Sequence, residues 1–145
     1  MSLGDWLRRR WLSEQRPARQ AIAELLMVVD RDLNQSQTPG LDADWRLTIA
    51  YNAALQCATA ALAAAGYRVG HESHHYRVIQ SLGLTIGWPP EKISAFDRFR
   101  RKRNAATYER AGATSEQDAD DMLCIARRLR QDVQAWLETD YPELL

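Results

Sequence analysis

Residues 47–67 carry no charged side chain, and alanine dominates them. At 100° per residue, the only polar groups on the helix that such a stretch would form, Thr48, Asn52, Gln56 and Thr59, fall within an arc of about 80°. Every other residue from 49 to 65 is apolar. A helix of this kind is buried around most of its circumference, so the pattern predicts the central member of a helical bundle. Its polar ridge has two readings: it hydrogen-bonds internally, or it faces a groove or a second subunit. The four ridge residues make the stretch too polar for a stable membrane span. With no apolar run at the N-terminus long enough for a signal peptide, the expectation is a soluble, cytoplasmic protein with no membrane association.

The remainder of the 145 residues supports the same class. Glycine and proline are few (7 and 5), so long helices need not be interrupted. Residues 3–13 place Leu3, Trp6, Leu7 and Trp11 at near-helical spacing. Pro17 is suited to open a second helix, with Ala18, Ala21, Ile22, Leu25, Val29 and Leu33 as its buried stripe. Asp42 or Asp44 can cap the central helix and Gly66 can end it. A turn at 67–70, a short helix over 72–82 and a loop over 83–90 follow. The next pattern runs from Pro90 to about Ala111. Thr114 or Ser115, the latter with Asp118 three residues on, then caps a last helix striped by Met122, Ala126, Leu129, Val133 and Trp136. No stretch reads as a strand. The expected fold is all-α: a single domain over 1–145, an antiparallel up-and-down bundle of four to five main helices plus a short one, with 1–15 as an N-terminal helical extension.

Two features that often carry chemistry point elsewhere here. Cys57 and Cys124 read as two buried free thiols, with no CxxC spacing. His71-Glu72-Ser73-His74-His75 matches the zinc-protease pattern HExxH. That chemistry needs one continuous helix through both histidines, whereas this copy follows Gly66 and Gly70 and straddles a helix start. No metal and no cofactor are expected.

The informative segment is 96–109, Phe-Asp-Arg-Phe-Arg-Arg-Lys-Arg-Asn-Ala-Ala-Thr-Tyr-Glu. Overall charge is balanced, 19 basic against 19 acidic side chains, which argues against a domain that is basic throughout. The balance averages unequal parts. Arg98, Arg100, Arg101, Lys102 and Arg103 crowd this helix, while Glu116, Asp118, Asp120 and Asp121 open the next. On a helical wheel Arg98, Arg101 and Lys102 point away from the apolar stripe of Ile93, Phe96, Phe99 and Ala106, as a solvated face would. Arg103 does not fit, because it projects between Phe96 and Phe99. A guanidinium cannot shed its charge, which leaves three explanations: a carboxylate partner, a helix emerging from the core, or a cleft that binds phosphate. Arg100, Asn104 and Tyr108 form one ridge beside it. Cation, amide and phenol together suit a phosphodiester backbone.

Arg103-Asn104-Ala105-Ala106-Thr107-Tyr108, late on a long helix, resembles the motif of the HEPN superfamily, small all-α proteins found across prokaryotic defence and toxin–antitoxin systems. The resemblance spans about residues 18–138. Supporting features are the alanine-rich central helix preceded by Asp44-Trp45-Arg46 and the His74-His75-Tyr76 helix opening. It implies a homodimer in which two motifs face one cleft, and a partner that is RNA, a nucleotide or a nucleotidyltransferase-type protein. Many members are metal-independent endoribonucleases. In this sequence Tyr108 stands where the motif has histidine, and a phenol of pKa about 10 is a poor general base.

Two functions follow from the resemblance. The first is a non-catalytic RNA- or nucleotide-binding or partner-binding protein, with Arg98, Arg100, Arg101 and Lys102 contacting phosphates. The alternative is a ribonuclease in which Arg103 stabilises the phosphate, Asn104 positions it, Tyr108 orients, and His74 or His75 supplies the missing base.

Overall fold

The computed structural model describes residues 1–108 and 112–145, with side chains at all of these except 105–108. Among the described residues are six α-helices: α1 (Leu3–Arg8), α2 (Arg19–Gln35), α3 (Ala43–Ala64), α4 (His74–Gln80), α5 (Pro90–Tyr108) and α6 (Glu116–Asp140). Two three-residue strands, β1 (Leu12–Glu14) and β2 (Tyr67–Val69), pair antiparallel with Leu12 opposite Val69.

The uncharged helix lies where its composition predicts. α3 packs against α2 and α6, and also touches α4 and α5. Its alanines let neighbouring backbones approach closely, and Leu47, Tyr51 and Leu62 fill the space between. Against it α2 sets Ile22, Leu26 and Val29; α5 sets Ile93, Phe96 and Phe99; α6 sets Met122, Ala126, Leu129, Val133 and Leu137. By length and composition alone Ala43–Ala64 could cross a membrane, but 72% of its apolar window is buried inside the protein.

Most of the polar ridge is satisfied internally. Thr48 and Thr59 donate to their own helix, at the carbonyls of Asp44 (2.8 Å) and Leu55 (2.9 Å). Asn52 donates across to the buried Asp32 carboxylate of α2 at 3.1 Å. Arg31 holds the other oxygen of that carboxylate at 3.0 Å. The internal reading therefore accounts for three of the four ridge residues.

Several boundaries differ from the sequence reading. The N-terminal extension is helical only to Arg8, whose helix is closed at its start by a Ser2–Asp5 capping box. Arg10 then takes a left-handed conformation (φ 62°) and turns the chain into β1. Tyr67–Val69, expected within a turn, is the partner strand, positioned after Gly66 reverses the chain at φ 97°. Three-residue strands are too short to show alternation, and their pairing partner is remote in sequence. α2 begins at Arg19, two residues beyond Pro17, with Ala18 exposed. Cys124 is exposed, contrary to expectation, whereas Cys57 is buried among apolar side chains and its thiol is pushed up to about 12.

Caps position the ends that matter for the site. Asp42 takes the N-cap position of α3 without a side-chain bond. Asp44 instead accepts from the backbone amides of Gly112 (2.6 Å) and Thr114 (3.2 Å), fastening the segment that leads into α6. Ser115 and Asp118 form the expected capping box of α6. At the other end of α5, the Trp88 indole N–H donates to Asp132 of α6 at 2.9 Å and anchors the loop before Pro90. The end of the basic helix pattern, 109–111, lies outside the described residues.

Candidate functional site

α5 carries its cations on two sides, and only one of them meets the histidines. Arg98 and Arg101 line a shallow surface with Glu91, Ser94 and Ala95. Arg98 is exposed with its guanidinium 5.2 Å from the Phe99 ring centre. Lys102 is tied to Asp118 at 2.8 Å, which holds that carboxyl below the usual carboxylate range. These three side chains are explained by solvation and pairing, as their wheel positions suggest.

On the other side, Arg100 and Asn104 join Ser73, His74, His75 and Tyr76 around an open depression of about 420 Å³. α4 brings the histidines here because Ser73, immediately before it, adopts a left-handed conformation (φ 52°). His71 precedes that turn, so the HExxH residues do not share a helix. Arg100 is not free: the buried Asp97 accepts from its Nε at 2.7 Å and also holds Arg101 at 3.4 Å. One carboxylate thus serves two guanidiniums and leaves them a net positive charge. The Arg100 guanidinium also lies 5.5 Å from the Tyr76 ring centre.

Arg103 is half-buried, and among the described residues it has no carboxylate partner. Its guanidinium sits 5.5 Å from the ring centre of Tyr51 in α3. One terminal nitrogen donates to the Asn104 side-chain oxygen at 3.3 Å. Its Nε is buried and, among the described residues, has no hydrogen-bond partner. Of the three explanations for this arginine, carboxylate pairing is therefore not what the described residues provide. A cation–π contact and one neutral acceptor give a guanidinium less than it can use.

Tyr51 is the residue that sequence reasoning missed. It reads as one more apolar position, yet it is fully buried and links the two halves of the site. Its ring packs edge-to-face on Phe96, at 5.8 Å between centres, and its hydroxyl lies 3.1 Å from His75 Nδ1. A tyrosine in a buried alanine-rich helix must find a partner for its hydroxyl, and that is the available signal. Burial pushes the Tyr51 pKa above its ordinary value, so the phenol keeps its proton.

The electrostatics of His75 follow from these neighbours. Burial, then the positive charges of Arg103, His74 and Arg100, push its pKa below the ordinary histidine value. His75 is therefore neutral at neutral pH. The Tyr51 hydroxyl and His75 Nδ1 share one hydrogen bond; in the tautomer whose Nδ1–H donates to the phenol oxygen, Nε2 carries the free lone pair. The His74 and His75 rings are 5.8 Å apart.

The structure thus gathers His74, His75, Arg100 and Asn104 at one depression, with Arg103 adjoining through Asn104 and Tyr51. It separates Arg98, Arg101 and Lys102 from them. The backbone of Tyr108 is on α5, but its side chain lies outside the described residues. Among the described residues no three His, Cys, Asp or Glu side chains converge as metal ligands do. No protein-family model, curated protein or solved structure matches the chain.

Proposed function

We propose that the depression between α4 and α5 binds the phosphodiester of RNA or the phosphate of a nucleotide, in a HEPN-like helical bundle that pairs as a homodimer. The supporting observation is Arg103: a half-buried guanidinium with an unpartnered Nε and no carboxylate among the described residues, beside a depression lined by Arg100, Asn104 and two histidines. An anion at its mouth would meet the Arg100 guanidinium within the positive field of Arg103, and charge-assisted bonds of this kind are the strong ones. The overall charge balance keeps nonspecific attraction weak, so affinity rests on the local cluster.

Fluorescence anisotropy with a labelled single-stranded RNA tests the reading. Binding should weaken with salt. Both Arg100→Ala and Arg103→Ala should lower affinity and flatten the salt slope by about 0.7 for each phosphate no longer neutralised. RNA binding unaffected by Arg103→Ala would overturn it. Light scattering tests the dimer, which a monomeric mass would exclude.

A specific observation supports a second reading, metal-independent cleavage. His75 is unprotonated at neutral pH, as a general base must be, and it lines the same depression as Arg100 and Asn104. In that reading Nε2 of His75 takes the proton of a ribose 2′-hydroxyl as the oxygen attacks the adjacent phosphorus, and Arg103 stabilises the charge gathering on the phosphate. Incubation with RNA in EDTA separates the two readings. Intact RNA, or cleavage that survives His75→Gln, would eliminate the catalytic one.

A further inference from the structure

A second, more enclosed pocket of about 290 Å³ adjoins the depression, walled by Met1, Trp6, Trp11, Ser73, Tyr76, Arg77 and Gln80. Ser73 and Tyr76 line both cavities, so Tyr76 is the partition between them. The far wall comes from the N-terminal segment, which the β1–β2 pairing holds beside α4. Trp11 stacks edge-to-face on Trp6 at 5.6 Å and has the guanidiniums of Arg77 and Arg9 at 4.4 and 5.1 Å from its ring centre.

This composition narrows the occupant. Three aromatic walls suit a flat ring. A cationic ligand is disfavoured because two guanidiniums already occupy the Trp11 ring and no carboxylate lines the pocket. A purely apolar ligand would leave the Ser73 hydroxyl, the Arg77 N–H groups and the Gln80 amide without hydrogen-bond partners, and among the described residues no side-chain hydrogen bond engages the last two. The volume lies just under the range for small-molecule sites, roughly 300–1,000 Å³, so it holds one ring system rather than a peptide segment. Tyr76 is 44% exposed, a large aromatic surface facing solvent at the boundary of the two cavities. An aromatic face next to a cationic groove is how unpaired bases are held without regard to sequence.

We infer that this pocket receives an unpaired nucleobase whose own phosphate lies on the His75–Arg100 depression, with Tyr76 as the stacking surface and Gln80 and Arg77 meeting the base edge. The inference rests on the phosphate-binding reading and adds that the ligand is single-stranded or a free nucleotide, since a base within a duplex cannot enter.

The test measures affinities of the full chain for a single-stranded RNA oligonucleotide, the same backbone made abasic, the corresponding duplex and the four 5′-mononucleotides. Single-stranded RNA should bind at least tenfold more tightly than the abasic strand or the duplex. Tyr76→Ala should weaken single-strand binding by about 5- to 100-fold, the range for removal of one base–aromatic stack. Tyr76→Phe should restore it, and neither variant should change the salt slope, because every phosphate stays engaged. Mononucleotides that bind as tightly as the oligonucleotide would identify the free nucleotide as the ligand. Equal affinity for normal and abasic strands overturns the base pocket while leaving the phosphate site standing. No binding of any of these ligands overturns the phosphate site, and the pocket with it. Circular dichroism on each variant shows whether weaker binding reflects unfolding.

Discussion

Tyr51 and Asn52 are consecutive on α3, both reach polar atoms across to another helix, and the two contacts are built differently. Asn52 meets Asp32, and Arg31 covers the same carboxylate, so donors and acceptors close on one another. Tyr51 meets His75 and lies under Arg103, whose Nε is left buried and unpartnered. The first contact completes itself within the chain and serves the fold. The second holds a cation and a neutral imidazole beside an open cavity with hydrogen-bonding capacity unspent. An orphaned buried donor costs roughly 1–3 kcal/mol, a cost that the Asn52–Asp32 contact does not carry.

The largest effect should come from opening the closed edge. Asp32→Ala leaves the Asn52 amide without its acceptor and should cost about 2 kcal/mol, lowering Tm by roughly 4–8 °C at this chain length. RNA affinity of the folded variant should stay within about twofold. Thermal melts and anisotropy on one preparation decide this, and collapse of binding would erase the division between the two edges.

Arg103→Met reverses the pattern. Affinity should fall at least about tenfold, near 1.4 kcal/mol, while stability holds or rises by up to about 1 kcal/mol because an unsatisfied buried nitrogen is removed. A clear drop in Tm with binding intact would return Arg103 to a structural role.

Smaller, but more discriminating, is the response to pH. The folded His75 pKa lies below its unfolded value of about 6.5. Its contribution to stability is therefore present above that value and is lost as pH falls through the folded pKa. A bound phosphate favours the imidazolium, so RNA affinity should rise over the same interval in which the free protein loses stability. His75→Gln should flatten both curves. Cleavage with His75 as base would instead weaken on acidification, so the sign of the slope separates binding from catalysis.

The smallest change concerns the rim of the open edge. Ser73 at φ 52° is in a region that costs an L-residue roughly 1–2 kcal/mol. Ser73→Gly should stabilise by about 0.5–1 kcal/mol, since glycine relieves that conformation but gains freedom when unfolded. Urea unfolding would show it, and a loss of stability would mean that the serine side chain outweighs its backbone.

What the sequence makes legible divides along the same line. The uncharged run from 47 to 67 announces a central helix because burial on all sides forbids charge. The misfit of Arg103 on its wheel is visible because a cation on an apolar stripe is costly. His74 and His75 stand out as a pair, and they do face Arg100 and Asn104. Helical periodicity is local and survives in the sequence. Asp97 reads only as an offset to charge, since its grip on two arginines depends on rotamers. Tyr51 is hidden among alanines because its partner arrives from a different helix. β1 and β2 are invisible because neither strand is long enough to show a period of two.

That small sheet has a consequence for how the molecule opens. It joins the N-terminal segment to the connection between α3 and α4 through a few backbone bonds, Leu12 and Val69 being its only buried residues. Such a segment can lift away as a sub-global unit while α3 stays packed. Amide protons at 12–14 and 67–69 should therefore exchange with solvent well before those of α3. Each such excursion removes the tryptophan wall and leaves the His75–Arg100 depression in place. The two cavities thus have separate lifetimes, one set by the packed helices and the other by a strand of three residues.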